Sequence, residues 1–341
     1  MRKLTALFAL ICLCLWMLFQ APALAETRSM LDYKVTPEVI YGQGDVIIEN
    51  DDDEVDDELD ELDLWMDVYE PLEDTEEKTE EKPRPAIIFT HGGSFHRGSP
   101  RYTYDEGGAQ DTSPGDYCRK FATRGYVCFA ITYRLIPDNP VASDYPPEDI
   151  DMTNVEIMID QLNKVRKIMG LDPLDPCDSE DMKLITDGVL SAAEDLRTAV
   201  KHIRNSAETY NIDPDRIVLG GFSAGALTTL NVAHGMHEPV AAAFLLSGTI
   251  LGFDILNTVT ESSDSPPILL FQGQNDLEGY FVSMPILIEH YKKVGVQYTF
   301  AWVPAFGHFY TSGATSLSGD GSKMSVDERI MQFLDQTWAD L

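Results

Sequence analysis

An α/β fold with a mostly parallel central sheet and helices on both faces is the architecture this 341-residue chain predicts, and three observations carry it. Compact apolar runs recur at AIIFT (86–90), YVCFAITY (126–133), AAAFLLSG (241–248), PPILLFQG (266–273) and QYTFAWVP (297–304). Runs of that length bounded by turn residues are strands buried on both faces, too short for helices. Helical periodicity lies between them, and strict alternation of strand with helix forces parallel neighbours. Finally, 44% hydrophobic residues over this length can bury one large core or two modest ones.

Taken in order, KVTPEVIYG (34–42) and DVIIEN (45–50) alternate and predict a short antiparallel pair. LDLWMDVYEP (62–71) predicts a third strand ending at Pro71, and 72–85 an exposed loop. AIIFT follows, stopped by His91-Gly92-Gly93. Cys118 to Arg124 reads as the end of a helix closed by Gly125. Ser191 to Tyr210 reads as a helix with a capping box, Ser191 with Glu194, and an apolar stripe through Leu196, Val200 and Ile203. DPDRIVLGGFS is loop, strand and sharp turn, and Val326 to Trp338 is a closing amphipathic helix. About 60 residues separate Arg134 from Asp195, more than a direct connection needs, so an insertion is expected at about 138–190. Val155, Met158, Ile159, Leu162, Val165 and Met169 give it a helix with one apolar face, either a surface excursion or a cap over a site.

The ends and the charge narrow the setting. Arg2 and Lys3, an uncharged run from Leu4 to Phe19 and Ala23-Leu24-Ala25 form the pattern of a signal peptide over 1–25, a membrane anchor being the rival. Cleavage leaves no membrane span and a secreted or periplasmic chain. Cys118, Cys128 and Cys177 then remain, an odd number that allows at most one disulfide. No Cys or His spacing suggests a metal site. The mature chain carries 23 basic against 57 acidic residues, which argues against nucleic acid as a partner. Ten carboxylates crowd 51–63, DDDEVDDELDELD, without the spacing or glycine of a calcium loop, so the tract reads as a solvated loop or strand edge. The organisation expected is therefore a signal peptide at 1–25, N-terminal strands and an acidic loop at 26–83, and a catalytic domain at 84–341.

The chemistry centres on GGFSAGA, 220–226. Glycines two residues before and after Ser223 suit a serine presented on a strained strand-to-helix turn, and RIVLG before it with ALTTLNVAHG after it supply the strand and the helix. A hydroxyl needs a base, and the base an orienting acid, in the order Ser, Asp, His. His308 lies in the loop AFGHFY after one strand and Asp276 in GQND after another, the strand ends where ligand chemistry is built. Asp254, Asp264 and Glu278 are rival acids, less well placed. The backbone N–H of Ala224, at the helix start, and those of the His91-Gly92-Gly93 turn would hold an oxyanion. Phe95, Phe222 and Phe309 flank these positions and would line an acyl pocket.

HGGSFHRGS, GYVCFAITYRLIP and SAAEDLRTAVKHIRNSAETYNIDPDRIVLGGFSAGA resemble the oxyanion loop, the following strand with its Tyr-Arg turn, and the nucleophile segment of the α/β-hydrolase superfamily. Within it the likeness is to esterases and lipases related to hormone-sensitive lipase and bacterial carboxylesterases. The resemblance implies the α/β-hydrolase fold, with Ser223 as nucleophile, Asp276 as acid, His308 as base and the N–H groups of Gly92, Gly93 and Ala224 as oxyanion hole. Ser94 stands where many relatives have a third glycine, a departure that bears on the hole's donors. The implied function is hydrolysis of small-molecule carboxylic esters of short to medium acyl chain, through an acyl-enzyme and without a cofactor. A feruloyl or acetyl-sugar esterase, a lipase, a peptidase, or a non-catalytic extracellular binding protein on this scaffold are the alternatives.

Overall fold

The computed structural model describes residues 30–48, 58–72, 82–104 and 111–340. The expected signal peptide, residues 51–57 of the acidic tract and residues 73–81 of the expected loop lie outside them. The chain divides into two units, 1–30 and 31–341, and of the first only Met30 is described.

In the second unit, β1 (Tyr33–Ile48), β2 (Glu58–Pro71) and β3 (Arg84–Thr90) are followed by α1 (Pro114–Ala122) and β4 (Val127–Ile131). The insertion holds β5 (Ile150–Asp151) and α2 (Val155–Met169), and α3 (Ser179–Asn205) leads out of it to β6 (Ile212–Phe222) and α4 (Ala224–Leu230). The remainder contains β7 (Ala242–Leu246), β8 (Gly252–Phe253), β9 (Ile268–Gly273), α5 (Glu278–Val294), β10 (Tyr298–Val303), β11 (Thr315–Ser318), β12 (Lys323–Ser325) and α6 (Val326–Asp340).

One sheet of order β1-β2-β4-β3-β6-β7-β9-β10-β11-β12 organises the unit. From β4 to β10 the neighbours are parallel, and antiparallel strands flank that centre at both edges. The apolar runs at β3, β4, β7 and β9 therefore become strands buried on both faces, whereas β10, next to the short edge strands β11 and β12, leaves Tyr298 and Phe300 half-buried and Trp302 exposed. On one face Ile88, Leu219, Leu245 and Leu270 pack against Leu196 and Val200 of α3 and Leu287 of α5. On the other, Ile87, Phe89, Phe244 and Phe271 pack against Phe121 of α1 and Ile330 and Leu334 of α6. Cys118 of α1 and Cys128 of β4 form a disulfide, and Cys177 is free and exposed.

Two local expectations are corrected. The predicted pair at 34–42 and 45–50 is a single strand, β1, whose partner is β2. Gly44 invited a turn, but a Cβ there would lie 2.3 Å from Nε of Arg134, so the glycine makes room for a neighbour. The described part of the acidic tract, 58–63, is the exposed start of β2. The helix assigned to 191–210 begins instead at Ser179, where the Asp178 side chain accepts from the N–H groups of Glu180 and Asp181. Ser191 is buried in mid-helix, and Glu194, the supposed capping partner, accepts from Tyr145 Oη at 3.0 Å and from the Ser143 N–H at 2.9 Å. The upstream half escaped notice because Gly188 looks like a breaker, whereas its missing Cβ admits Ile136, whose Cγ1 would otherwise be 2.3 Å away.

The insertion docks on the sheet's carboxyl edge. β5 pairs with β8, Ile150 opposite Phe253, and the apolar face of α2 through Val155, Met158 and Leu162 joins Ile185 and Val189 of α3. Helix α2 thereby lies over the turn between β6 and α4.

Candidate active site

Local sequence builds the central turn. Leaving β6, the chain reaches Ser223 with φ 55° and ψ −119°, a conformation costing about 1–3 kcal/mol for a non-glycine residue. Hydrogen bonds hold it there: the Ser223 N–H donates to Leu246 O at 2.9 Å, and Ser223 O accepts from Ala226 N at 2.8 Å. Both flanking glycines are sterically required. A Cβ on Gly221 would fall 2.0 Å from Gly225 O, and one on Gly225 2.4 Å from Thr90 O.

Strand ends bring the other two candidates to this serine. His308 Nε2 is 2.7 Å from Ser223 Oγ, and His308 Nδ1 is 2.6 Å from Asp276 Oδ1. With the carboxylate facing Nδ1, that nitrogen carries the proton and Nε2 accepts from the serine hydroxyl. Asp276 is held by four donors: the His308 Nδ1–H, the Leu277 N–H at 2.8 Å, Ser247 Oγ at 2.6 Å and the Gly273 N–H at 3.2 Å. Ser223, Asp276 and His308 are 5%, 9% and 8% exposed, so their electrostatics act in a low-dielectric setting that screens them less than water would.

The turn after β3 runs beside the nucleophile. Positive φ persists through Gly93 (122°), Ser94 (57°) and Phe95 (57°), so serine adopts a left-handed conformation where many relatives have glycine. Tyr133 supports the turn: its hydroxyl donates to His91 O at 2.9 Å, and its ring stacks on the imidazole at 4.3 Å. Burial pushes His91 down to about 4, leaving it neutral with Nδ1–H donating to Gly92 O at 2.7 Å. His96, also lowered to about 4 by burial, donates from Nδ1 to Ser94 O and accepts at Nε2 from Arg166 of α2 at 3.2 Å. Among the described residues, the N–H groups of Gly92, Gly93 and Ala224 make no hydrogen bond within the chain, which leaves all three for an oxyanion.

Ser223 opens into a cavity of about 160 Å³. Phe95, Met158, Leu162, Leu227, Leu251 and Tyr280 give it apolar walls, and Asp160, Gln161 and Lys164 of α2 stand at its rim. Of the three phenylalanines expected there, only Phe95 lines it. Phe222 and Phe309 stack on each other at 5.1 Å and belong to the core beneath the sheet with Phe244. Phe222 ends β6 on the face that packs against Phe244, and Phe309, in the loop after β10, stacks on it there.

Ser247, Tyr133 and Tyr280 were not singled out from sequence as site residues. Ser247 has a readable signal, since it follows β7 as Asp276 follows β9. Tyr133 lies in the quoted Tyr-Arg turn without a role attached. Tyr280 had no signal beyond lying four residues after Asp276. No group of residues able to hold a metal ion occurs among the described residues, nor any helix long and apolar enough to cross a membrane.

Comparison with known proteins bears on the fold. The BD-FAE family model matches residues 181–241, which span most of α3, β6 and α4. A search of the curated proteins found no match. Among solved structures, the propionate-bound form of a thermophilic esterase from Thermogutta terrifontis is similar with a TM-score of 0.51 at 17% identity, over 92% of this chain and 95% of that one. The same organism's esterase 2 phosphorylated by paraoxon gives 0.50 at 19% identity, over 93% and 97%. An α/β-hydrolase enzyme from a Medee basin deep-sea metagenome library gives 0.52 at 15% identity, over 88% and 100%. With its mostly parallel sheet, a nucleophile-type turn after β6 and likenesses that span most of its length, the chain has the α/β-hydrolase fold.

Proposed function

We propose that the protein is an exported serine hydrolase that cleaves carboxylic esters of short to medium acyl chain. The continuous hydrogen-bonded chain from Ser223 through His308 to Asp276, at the floor of an apolar cavity, is the observation that carries this reading. In acylation, Ser223 Oγ attacks the ester carbonyl while His308 Nε2 takes its proton, and Asp276 stabilises the imidazolium. The N–H groups of Gly92, Gly93 and Ala224 receive the negative charge on the carbonyl oxygen. Collapse expels the alcohol with the proton from His308, and water repeats the sequence to release the acid.

Chain length follows from the cavity. About 160 Å³ is below the roughly 300–1,000 Å³ of pockets that enclose drug-sized ligands, and its apolar walls favour a short aliphatic acyl group. Binding of propionate by the similar Thermogutta terrifontis esterase is in keeping with that size. Export is supported by the Cys118–Cys128 disulfide, a bond that persists in oxidising compartments.

A fluorophosphonate probe tests the reading. The expected result is a label on the peptide containing Ser223, hydrolysis of p-nitrophenyl acetate and butyrate well above palmitate, and loss of turnover by about 10⁴-fold or more in Ser223→Ala with its thermal unfolding unchanged. Undiminished turnover in that variant would sink the mechanism.

A further inference from the structure

We propose that Tyr280 is a further catalytic residue, its phenol hydroxyl donating a hydrogen bond to the alkoxy oxygen of the ester as the bond from that oxygen to the acyl carbon breaks. This role rests on the esterase reading above. Tyr280 sits in the first turn of α5, four residues beyond Asp276, with its side chain buried in the wall of the Ser223 cavity. Its ring lies 5.1 Å from the His308 imidazole and tilts 52° to it, and its hydroxyl interacts with the Ser223 side chain. Several other buried tyrosine hydroxyls have structural partners, Tyr133 donating to His91 O, Tyr291 to His234 Nδ1 and Tyr41 to Thr132 O, whereas the Tyr117 hydroxyl lies in the core away from the cavity without one. Among the described residues the Tyr280 hydroxyl forms no hydrogen bond other than its interaction with the nucleophile.

Position decides which substrate oxygen it serves. The carbonyl oxygen already has three backbone donors, supplied by the turn after β3 and the start of α4. Tyr280 instead comes from the element that follows the acid, packed on His308, the side from which the imidazolium returns its proton. In acylation the oxygen on that side is the alkoxy oxygen: the C–O electron pair moves onto it, the His308 proton neutralises it, and Tyr280 keeps its own proton while donating a hydrogen bond. Burial, reinforced by the Asp276 charge, pushes the phenol pKa up, so the donor stays protonated throughout the working range.

Such a bond matters most for a basic leaving group. The test compares kcat/KM, which reports acylation, for wild type and Tyr280→Phe on p-nitrophenyl, phenyl and ethyl butyrate. The expected loss in the variant is about threefold or less for the p-nitrophenyl ester and roughly 10- to 100-fold for the ethyl ester. Equal loss across the series, as from damaged packing or a missing carbonyl donor, or no loss at all, would overturn the role. If Tyr280→Phe does not fold, 3,5-difluorotyrosine at position 280 reads the same contact: a stronger donor flattens the leaving-group dependence, and an unchanged slope overturns it. Ser223→Ala, run in parallel, separates the two readings. Full turnover in Ser223→Ala removes the esterase reading together with this one, whereas an inactive Ser223→Ala beside an unaltered Tyr280→Phe series removes only the role of Tyr280.

Discussion

At the scale of single residues, the orientation of His308 depends on how firmly Asp276 is held. Ser247, wholly buried at the end of β7, donates to Asp276 Oδ2 at 2.6 Å and lies 3.2 Å from the Tyr310 hydroxyl. It touches neither the nucleophile nor the base and acts through the carboxylate, as a positioning residue. A hydrogen bond to a charged group contributes about 1.5–3 kcal/mol, so Ser247→Ala is expected to lower kcat roughly tenfold or more with KM little changed. Steady-state kinetics on p-nitrophenyl butyrate check it, and an unaltered kcat would show that the backbone donors of Gly273 and Leu277 suffice.

At the scale of elements, helix α2 supplies one wall of the cavity and part of its rim, so the insertion, and not only the sheet and its flanking helices, sets the space beside Ser223. Met158 and Leu162 project into that space from the same helical face that packs on α3. Truncating Met158 to Ala lengthens the cavity, and a methylene in an apolar pocket is worth about 1–3 kcal/mol of discrimination. The variant is therefore expected to shift the ratio of kcat/KM for octanoate over acetate esters upward by roughly tenfold. A ratio that stays put would place the acyl group elsewhere in the cleft. Arg166 links the far end of α2 to His96 in the turn after β3, so the position of the helix and the geometry of that turn are mechanically connected.

At the scale of the whole molecule, buried neutral histidines tie stability to pH. Burial lowers His91 and His96 to about 4 and His234 to about 3, against an ordinary value of 6.5. The unfolded chain thus takes up protons first as pH falls. Their contribution to stability is intact above about pH 6.5 and is lost on descent toward 4, each group adding a slope approaching about 1.4 kcal/mol per pH unit. Urea unfolding between pH 7 and 4.5 should show this decline, shallower by one group's share in His96→Asn; equal slopes in the two proteins would refute the assignment.

Chemistry that is local in the chain was legible in the sequence by itself. The strand runs, the strained turn at Ser223, and the placement of Asp276 and His308 in loops after strands all depend on residue type and short spacing, and those quantities survive without a fold. What tertiary structure alone decided depends on contacts between distant segments. Gly44 and Gly188 serve close approach to Arg134 and Ile136. Phe222 and Phe309 went to the core on the far face of the sheet, and Tyr280 joined the site because α5 begins beside Ser223. Packing fixes which side chains meet, and no spacing along the chain encodes that when the partners are tens of residues apart.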